Sequence, residues 1–98
     1  MEEDQFDFYE IISADYSLVK SGVECESEDQ NLGDKDSLSE CAKACRETSE
    51  CRYFIFGTGD KEGGCWWEKA ENKDCPKGWE EDQYDFYEMI SKFLRISF

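Results

Sequence analysis

The residues of this 98-residue chain with the most chemistry to offer are its six cysteines, Cys25, Cys41, Cys45, Cys51, Cys65 and Cys75. A thiol can attack an electrophile, ligate zinc or close a disulfide. Nucleophilic catalysis needs a neighbouring base, and the chain contains no histidine, so neither a Cys-His nor a Ser-His dyad can be assembled. Zinc held by cysteine alone needs two close pairs of ligands, and only Cys41 and Cys45 are spaced closely enough. An even number of cysteines in so small a chain therefore reads as a framework of three disulfides, which places the protein in an oxidising compartment, secreted or at the cell surface. The spacings leave open which cysteine joins which.

Carboxylates are the second chemical resource. With 25 acidic against 11 basic residues the net charge is −14, which repels nucleic acid, heparin-like polyanions and anionic lipid headgroups. So many acids guarantee that some pair lies close, so a glycosidase-type pair has no diagnostic value here. Asp34, Asp36 and Glu40 have the spacing of hard oxygen ligands for calcium, but the EF-hand pattern is absent and Glu40 is better explained by helix capping. The expectation is a solvated acidic surface with no catalytic residue, no metal and no cofactor. Gly57-Thr58-Gly59 lacks the residues of a phosphate cradle. Aromatic residues offer binding of another kind: Trp66, Trp67 and Trp79 could stack on sugar rings or anchor a protein interface. Neighbours on a strand face opposite sides, so of Trp66 and Trp67 one is expected in the core and one outside.

The elements that must position these groups follow from the punctuation of the chain. Tyr16 to Lys20 is a β-rich run leading through Gly22 to Cys25, and Glu26 to Lys35 is a polar loop. Ser37-Leu38-Ser39-Glu40 has the form of a capping box. Leu38, Cys41, Ala42 and Cys45 then recur at helical spacing, and the helix should end near Glu47 to Ser49. Cys51 to Phe56 is an apolar central strand, the glycine-rich stretch 57–64 turns the chain, and Cys65 to Lys69 returns as a hairpin partner. After a second polar loop, 75–78, comes a last strand around Tyr84 to Met89. Its apolar residues change parity at Phe86-Tyr87, which predicts a β-bulge there or burial on both faces. Leu94, Ile96 and Phe98 alternate as a further candidate strand. The acidic N-terminus shows no signal-peptide pattern, so the chain reads as a mature product, a processed repeat or an excerpt. No apolar stretch approaches the length of a membrane span, the tail SKFLRISF is too short to anchor the chain, and membrane insertion is not expected.

One feature of the sequence is not local. Residues 2–13, EEDQFDFYEIIS, recur as residues 80–91, EEDQYDFYEMIS, with only Phe6/Tyr84 and Ile11/Met89 differing over twelve positions. The offset of 78 residues, from 2 to 80, is close to a whole small domain, so the chain reads as one repeat preceded by the end of another. This divides it into a terminal strand segment 1–14, a module 15–90 and a strand-like tail 91–98. Residues 2–12 carry five acids and no base, whereas the tail carries Lys92 and Arg95 and no acid, a complementarity suited to head-to-tail contact between copies. The expected assembly residues are Phe6, Phe8, Tyr9 and Ile11 at one end and Lys92, Leu94, Arg95, Ile96 and Phe98 at the other.

A strand, a cysteine, a capped helix with C-x-x-x-C, CRYFIFGTG, a glycine turn, CWWEK and a cysteine before a closing YDFYE strand together resemble the PAN/apple family of extracellular modules over about residues 15–90. The resemblance implies an α+β fold: a small disulfide-stapled module in which a twisted antiparallel sheet cradles one helix. It also implies the nested pairing Cys25–Cys75, Cys41–Cys65 and Cys45–Cys51. The family has no common ligand, so the resemblance implies only a broad role, non-catalytic attachment to proteins or carbohydrates outside the cell. The resulting expectation is a structural module that self-associates head to tail or in tandem array, its partners being copies of itself. The alternative is an adhesion module binding a glycan or a surface protein.

Overall fold

The computed structural model describes residues 16–90. Among these residues five strands and one helix follow in the order β1 (Tyr16–Cys25), β2 (Asp29–Asn31), α1 (Leu38–Arg46), β3 (Tyr53–Gly57), β4 (Cys65–Glu68) and β5 (Trp79–Met89), with a 3-10 turn at Gly59–Lys61. The strands form one antiparallel sheet in the order β1-β5-β3-β4-β2. The expected assembly residues Phe6, Phe8, Tyr9, Ile11, Lys92, Leu94, Arg95, Ile96 and Phe98 all lie outside the described residues, as does the candidate strand through Leu94 to Phe98.

The helix forms where its punctuation says. Ser37 is its N-cap, with extended backbone and its hydroxyl accepting the Glu40 N–H at 3.2 Å, and the last turn carries Lys43 and Arg46 near the negative end of the helix dipole. Its buried stripe is Cys41, Ala42 and Cys45. This stripe packs with Phe54, Cys65 and Tyr87 on one face of the sheet, flanked by Leu38, Trp67, Tyr16 and Met89. The opposite face carries a second core of Val23, Tyr53, Ile55 and Phe86 with the Cys25–Cys75 bridge, flanked by Trp66, Trp79 and Tyr84. The disulfides divide accordingly. Cys41–Cys65 fastens α1 to β4, Cys45–Cys51 fastens α1 to the entry of β3, and Cys25–Cys75 holds the end of β1 to the loop before β5. This is the nested pairing that the family resemblance implies.

Burial on both faces explains the parity change in the last strand. β5 keeps regular register with β3 through Phe86-Tyr87, from Gly57 opposite Tyr84 to Tyr53 opposite Glu88. Phe86 enters one core and Tyr87 the other. Each stacks on its cross-strand neighbourhood: Phe54 on Tyr87 with ring centroids 5.1 Å apart, and Tyr53 on Phe86 at 5.6 Å. An irregularity is present at the same step on the partner strand: in the pairing of β1 with β5, Leu18 faces Tyr87 and Lys20 faces Phe86, which leaves Val19 as an extra residue opposite Phe86-Tyr87, and a second irregularity lies between Ser21 and Val23. At the second, Gly22 has a φ of 71° and its N–H is held by Asp85 Oδ1 at 3.0 Å.

Three boundaries differ from the sequence expectation. β1 runs on to Cys25, and β5 begins at Trp79 because its first half pairs with β1 alone. Strand β2 falls inside the stretch read as a loop. Asp29, Gln30 and Asn31 are all exposed and carry no apolar pattern; they are extended because the edge of β4 offers them a ladder. Beyond β3 the chain folds back at once. A Cβ at Gly57 would run into the Lys61 carbonyl, so only glycine permits the 3-10 turn to sit where Lys61 meets Asp82.

β1 and β2 are the two outer strands, four strand spacings apart in the sheet, yet only residues 26–28 join them. A flat sheet would separate them by about 19 Å, whereas the four peptide links from Cys25 to Asp29 reach about 14 Å at full extension. The sheet must therefore curl until the end of β1 comes round to the start of β2. The link stays tied to the ladders on either side: Glu26 N–H donates to the Gly78 carbonyl, extending the β1–β5 pairing, and Lys69 N–H donates to the Glu28 carbonyl, extending the β2–β4 pairing.

With both cores covalently fastened, thiol reduction is expected to collapse the dispersed amide resonances of the folded domain in a proton–nitrogen correlation spectrum. Paired alanine substitution of Cys41 and Cys65 should lower stability by about 2–5 kcal/mol in urea unfolding.

Candidate functional site

The curled seam gathers side chains that are far apart in sequence. Glu24 from the end of β1, Asp29 from the start of β2 and Glu68 from the end of β4 place one carboxylate oxygen each within 4.8 Å of one another. Their exposures are unequal: Asp29 is exposed, Glu24 half-buried, and Glu68 fully buried at 0 %. Glu68 occupies an inward position because β4 alternates Cys65, Trp66, Trp67, Glu68 between the two covered faces. Ser27 Oγ donates to Glu68 Oε1 at 3.3 Å, while Oε2 is buried with no hydrogen-bond partner.

The electrostatics follow from that placement. Burial, reinforced by the nearby charges of Asp29 and Glu24, pushes the Glu68 carboxyl up to about 8, with the Ser27 hydroxyl and the Cys25 backbone amide offsetting part of the rise. Glu24 is pushed up to about 7, first by a hydrogen bond to Asp82, then by burial and by the charges of Asp82, Glu80 and Asp29. Two carboxyls that share a hydrogen bond need a proton between them. Glu24 takes it, because Asp82 is held well below the usual carboxylate range by that bond and by Lys61, whose Nζ lies 2.7 Å from Asp82 Oδ1. Among the described residues the ion pairs of Lys61 with Asp82 and of Lys73 with Glu88 do not reach Glu24, Asp29 or Glu68.

The residues singled out from sequence are placed differently. Asp34, Asp36 and Glu40 are exposed and are not gathered into such a group. Trp66 and Trp67 lie on opposite faces of β4, as alternation requires, but neither is core nor fully outward: both are half-buried, because each face of the sheet carries a covering layer. Trp66 packs against the second core together with Tyr84. Trp79 is also half-buried and packs edge-on against Phe86 with centroids 5.0 Å apart. Trp67 has Lys69 Nζ 4.6 Å from its ring centre and lines a shallow cleft of about 310 Å³ with Glu50, Arg52, Tyr53, Glu68 and Lys69. The carboxylate trio was invisible to spacing because 44 residues separate Glu24 from Glu68 (68 less 24). Its one local signal is an acid at the inward parity of an otherwise apolar strand.

The PAN domain model matches residues 12–91, which contains the sheet, the helix and all three disulfides. The chain belongs to the PAN domain family. Neither a curated protein nor a solved structure matches it. PAN domains are extracellular modules of protein or carbohydrate binding and are generally non-catalytic, in keeping with a small α+β fold stapled by disulfides. Among the described residues no helix is long and apolar enough to cross a membrane.

The raised carboxyls set a pH dependence in the absence of divalent cations. Between the ordinary value of 4.5 and about 8 the folded state holds a proton on Glu68 that the unfolded state has lost, so stability is greatest at the acid end of that window and falls as pH rises through it. Glu24 acts in the same direction up to about 7. The melting temperature in chelator is expected to be several degrees higher at pH 5.5 than at pH 8.5. Glu68→Gln should shrink that difference by stabilising the domain at the alkaline end, as read by circular dichroism melts.

Proposed function

We propose that this PAN domain is a connecting module of an extracellular array, in which the duplicated strand joins one module to the next. The observation that carries this reading is the place of the second copy. Residues 80–89 lie within β5, which is hydrogen-bonded on both sides, to β1 and to β3, and supplies Phe86 to one core and Tyr87 to the other. The first copy repeats the pair that serves both cores, with Phe8 for Phe86 and Tyr9 for Tyr87, has conservative exchanges at Phe6 for Tyr84 and Ile11 for Met89, and has Met1 at the position of Trp79. A second strand with the same sequence is competent to fill the same slot in another module, by strand addition or exchange. The acid-rich first segment and the basic tail with Lys92 and Arg95 favour contact in a head-to-tail sense. Self-association is then expected for the full chain in sedimentation and electron microscopy. It should be lost on deleting residues 2–13 and weakened by Phe8→Ser with Tyr9→Ser. Assembly unchanged by the deletion, or a full chain that stays monomeric at high concentration, would defeat the reading.

A second reading, adhesion, is favoured by the cleft beside Trp67, where an aromatic face, Tyr53, Arg52 and Lys69 combine stacking with hydrogen-bond donors suited to a sugar or a peptide. Binding to a glycan array above background, abolished by Trp67→Ala with an unchanged melting temperature, is the expected signature; silence of the wild-type protein on the array excludes glycans as its ligand.

A further inference from the structure

We propose that Glu24, Asp29 and Glu68 hold a calcium-sized divalent cation at the seam where the end of β1, the start of β2 and the end of β4 meet. Two independent observations support the site. The first is its geometry. Oxygens bound to one calcium ion at about 2.4 Å lie at most about 4.8 Å apart, and the three carboxylates each offer an oxygen within 4.8 Å of the others. The second is Glu68 itself. A side chain with 0 % exposure carries a carboxylate oxygen with no hydrogen-bond partner, in the company of two further carboxylates and without a lysine or arginine paired to the three among the described residues. Isolating an acid in this way is costly unless a counter-charge completes it.

The donor set is the kind that hard cations take. Three carboxylates from three strands form one side of the coordination shell, Ser27 Oγ lies beside Glu68 Oε1, and exposed Asp29 leaves the remaining positions open to water. Magnesium fits less well, since at about 2.1 Å its ligands must lie within about 4.2 Å of one another in near-octahedral order. Bound here, the ion would tie both outer strands to β4 and so lock the curl of the sheet. Modular extracellular sites of this type bind with dissociation constants of about 0.1–1 mM, so occupancy would track the calcium level outside the cell.

The test uses the full chain with its disulfides intact, stripped with chelator and titrated with calcium chloride, magnesium chloride or sodium chloride at matched ionic strength. Calcium is expected to raise the melting temperature by a few degrees along a saturating curve, with magnesium weaker and sodium flat. Terbium bound at the same site should show luminescence sensitised by Trp66, two residues from Glu68 on the same face of β4. Amide shifts on calcium addition should centre on Glu24, Asp29 and Glu68. Glu68→Gln and Asp29→Asn should remove the saturable response while melting cooperatively in chelator, and Asp34→Asn, an exposed acid elsewhere, should leave it intact. A response matched by sodium, spread over the acidic surface, or fully retained in Glu68→Gln would overturn the proposal and reduce it to general screening.

Discussion

Three residues join the outermost strands of the sheet, and much of the architecture follows from that short link. Because 26–28 cannot span a flat five-stranded sheet, β1 and β2 must approach each other round the end of the curl. Curling needs something to close around. Tyr53, Ile55, Phe86 and Val23 fill one side, and the Cys25–Cys75 bridge fixes the loop that covers them. The other face is closed by α1, whose two cysteines are each bound into the sheet side. A domain of this size buries a limited apolar surface, divided here between two cores, so covalent closure of both adds stability that packing supplies only sparingly.

The same constraint concentrates negative charge. β1 ends in Glu24, β2 begins with Asp29 and β4 ends in Glu68, and curling turns three strand ends into one acidic seam. Repulsion there opposes the closure that the link imposes. Protonation relieves it toward acid pH, and Lys61 relieves it at Asp82, which leaves Glu24 as the member of that pair to carry the proton. The seam is thus the place in the described fold where closure is most responsive to its solution conditions, while the helix and the β3–β5 pairing are held by stacked aromatic rings and disulfides.

β5 occupies the other privileged position. From Asp85 to Glu88 it is paired along both edges, and its Phe86-Tyr87 pair serves both cores, so its sequence there is constrained on every side. A strand with such a sequence is informative wherever it recurs. The duplicate in residues 2–13 preserves the two-faced Phe-Tyr pair, the feature a partner sheet would need, and exchanges residues only where β5 is half-buried, at Tyr84 and Met89.

Local physics made much of this legible. The helix was readable because a serine cap and an apolar stripe at helical spacing act within a few residues of each other, and β3 and β4 were readable because a glycine-rich turn divides two apolar runs. The family pattern of cysteines and aromatics carried the fold class and the nested bridges. The parity change at Phe86-Tyr87 pointed to burial on two faces or to a bulge, and only the partner strands could show that both occur there, the extra residue being Val19 on β1. β2 was hidden because Asp29, Gln30 and Asn31 owe their extended form to the edge of β4 and not to their own side chains. For the same reason the half-burial of Trp66 and Trp67 depended on layers contributed by distant segments. The sequence by itself therefore determined most of the elements, the disulfide chemistry of the cysteines and the repetition of one twelve-residue segment. The acidic seam was decided by tertiary structure alone, because Glu24 and Glu68 meet only when a sheet too wide for its own link is forced to curl.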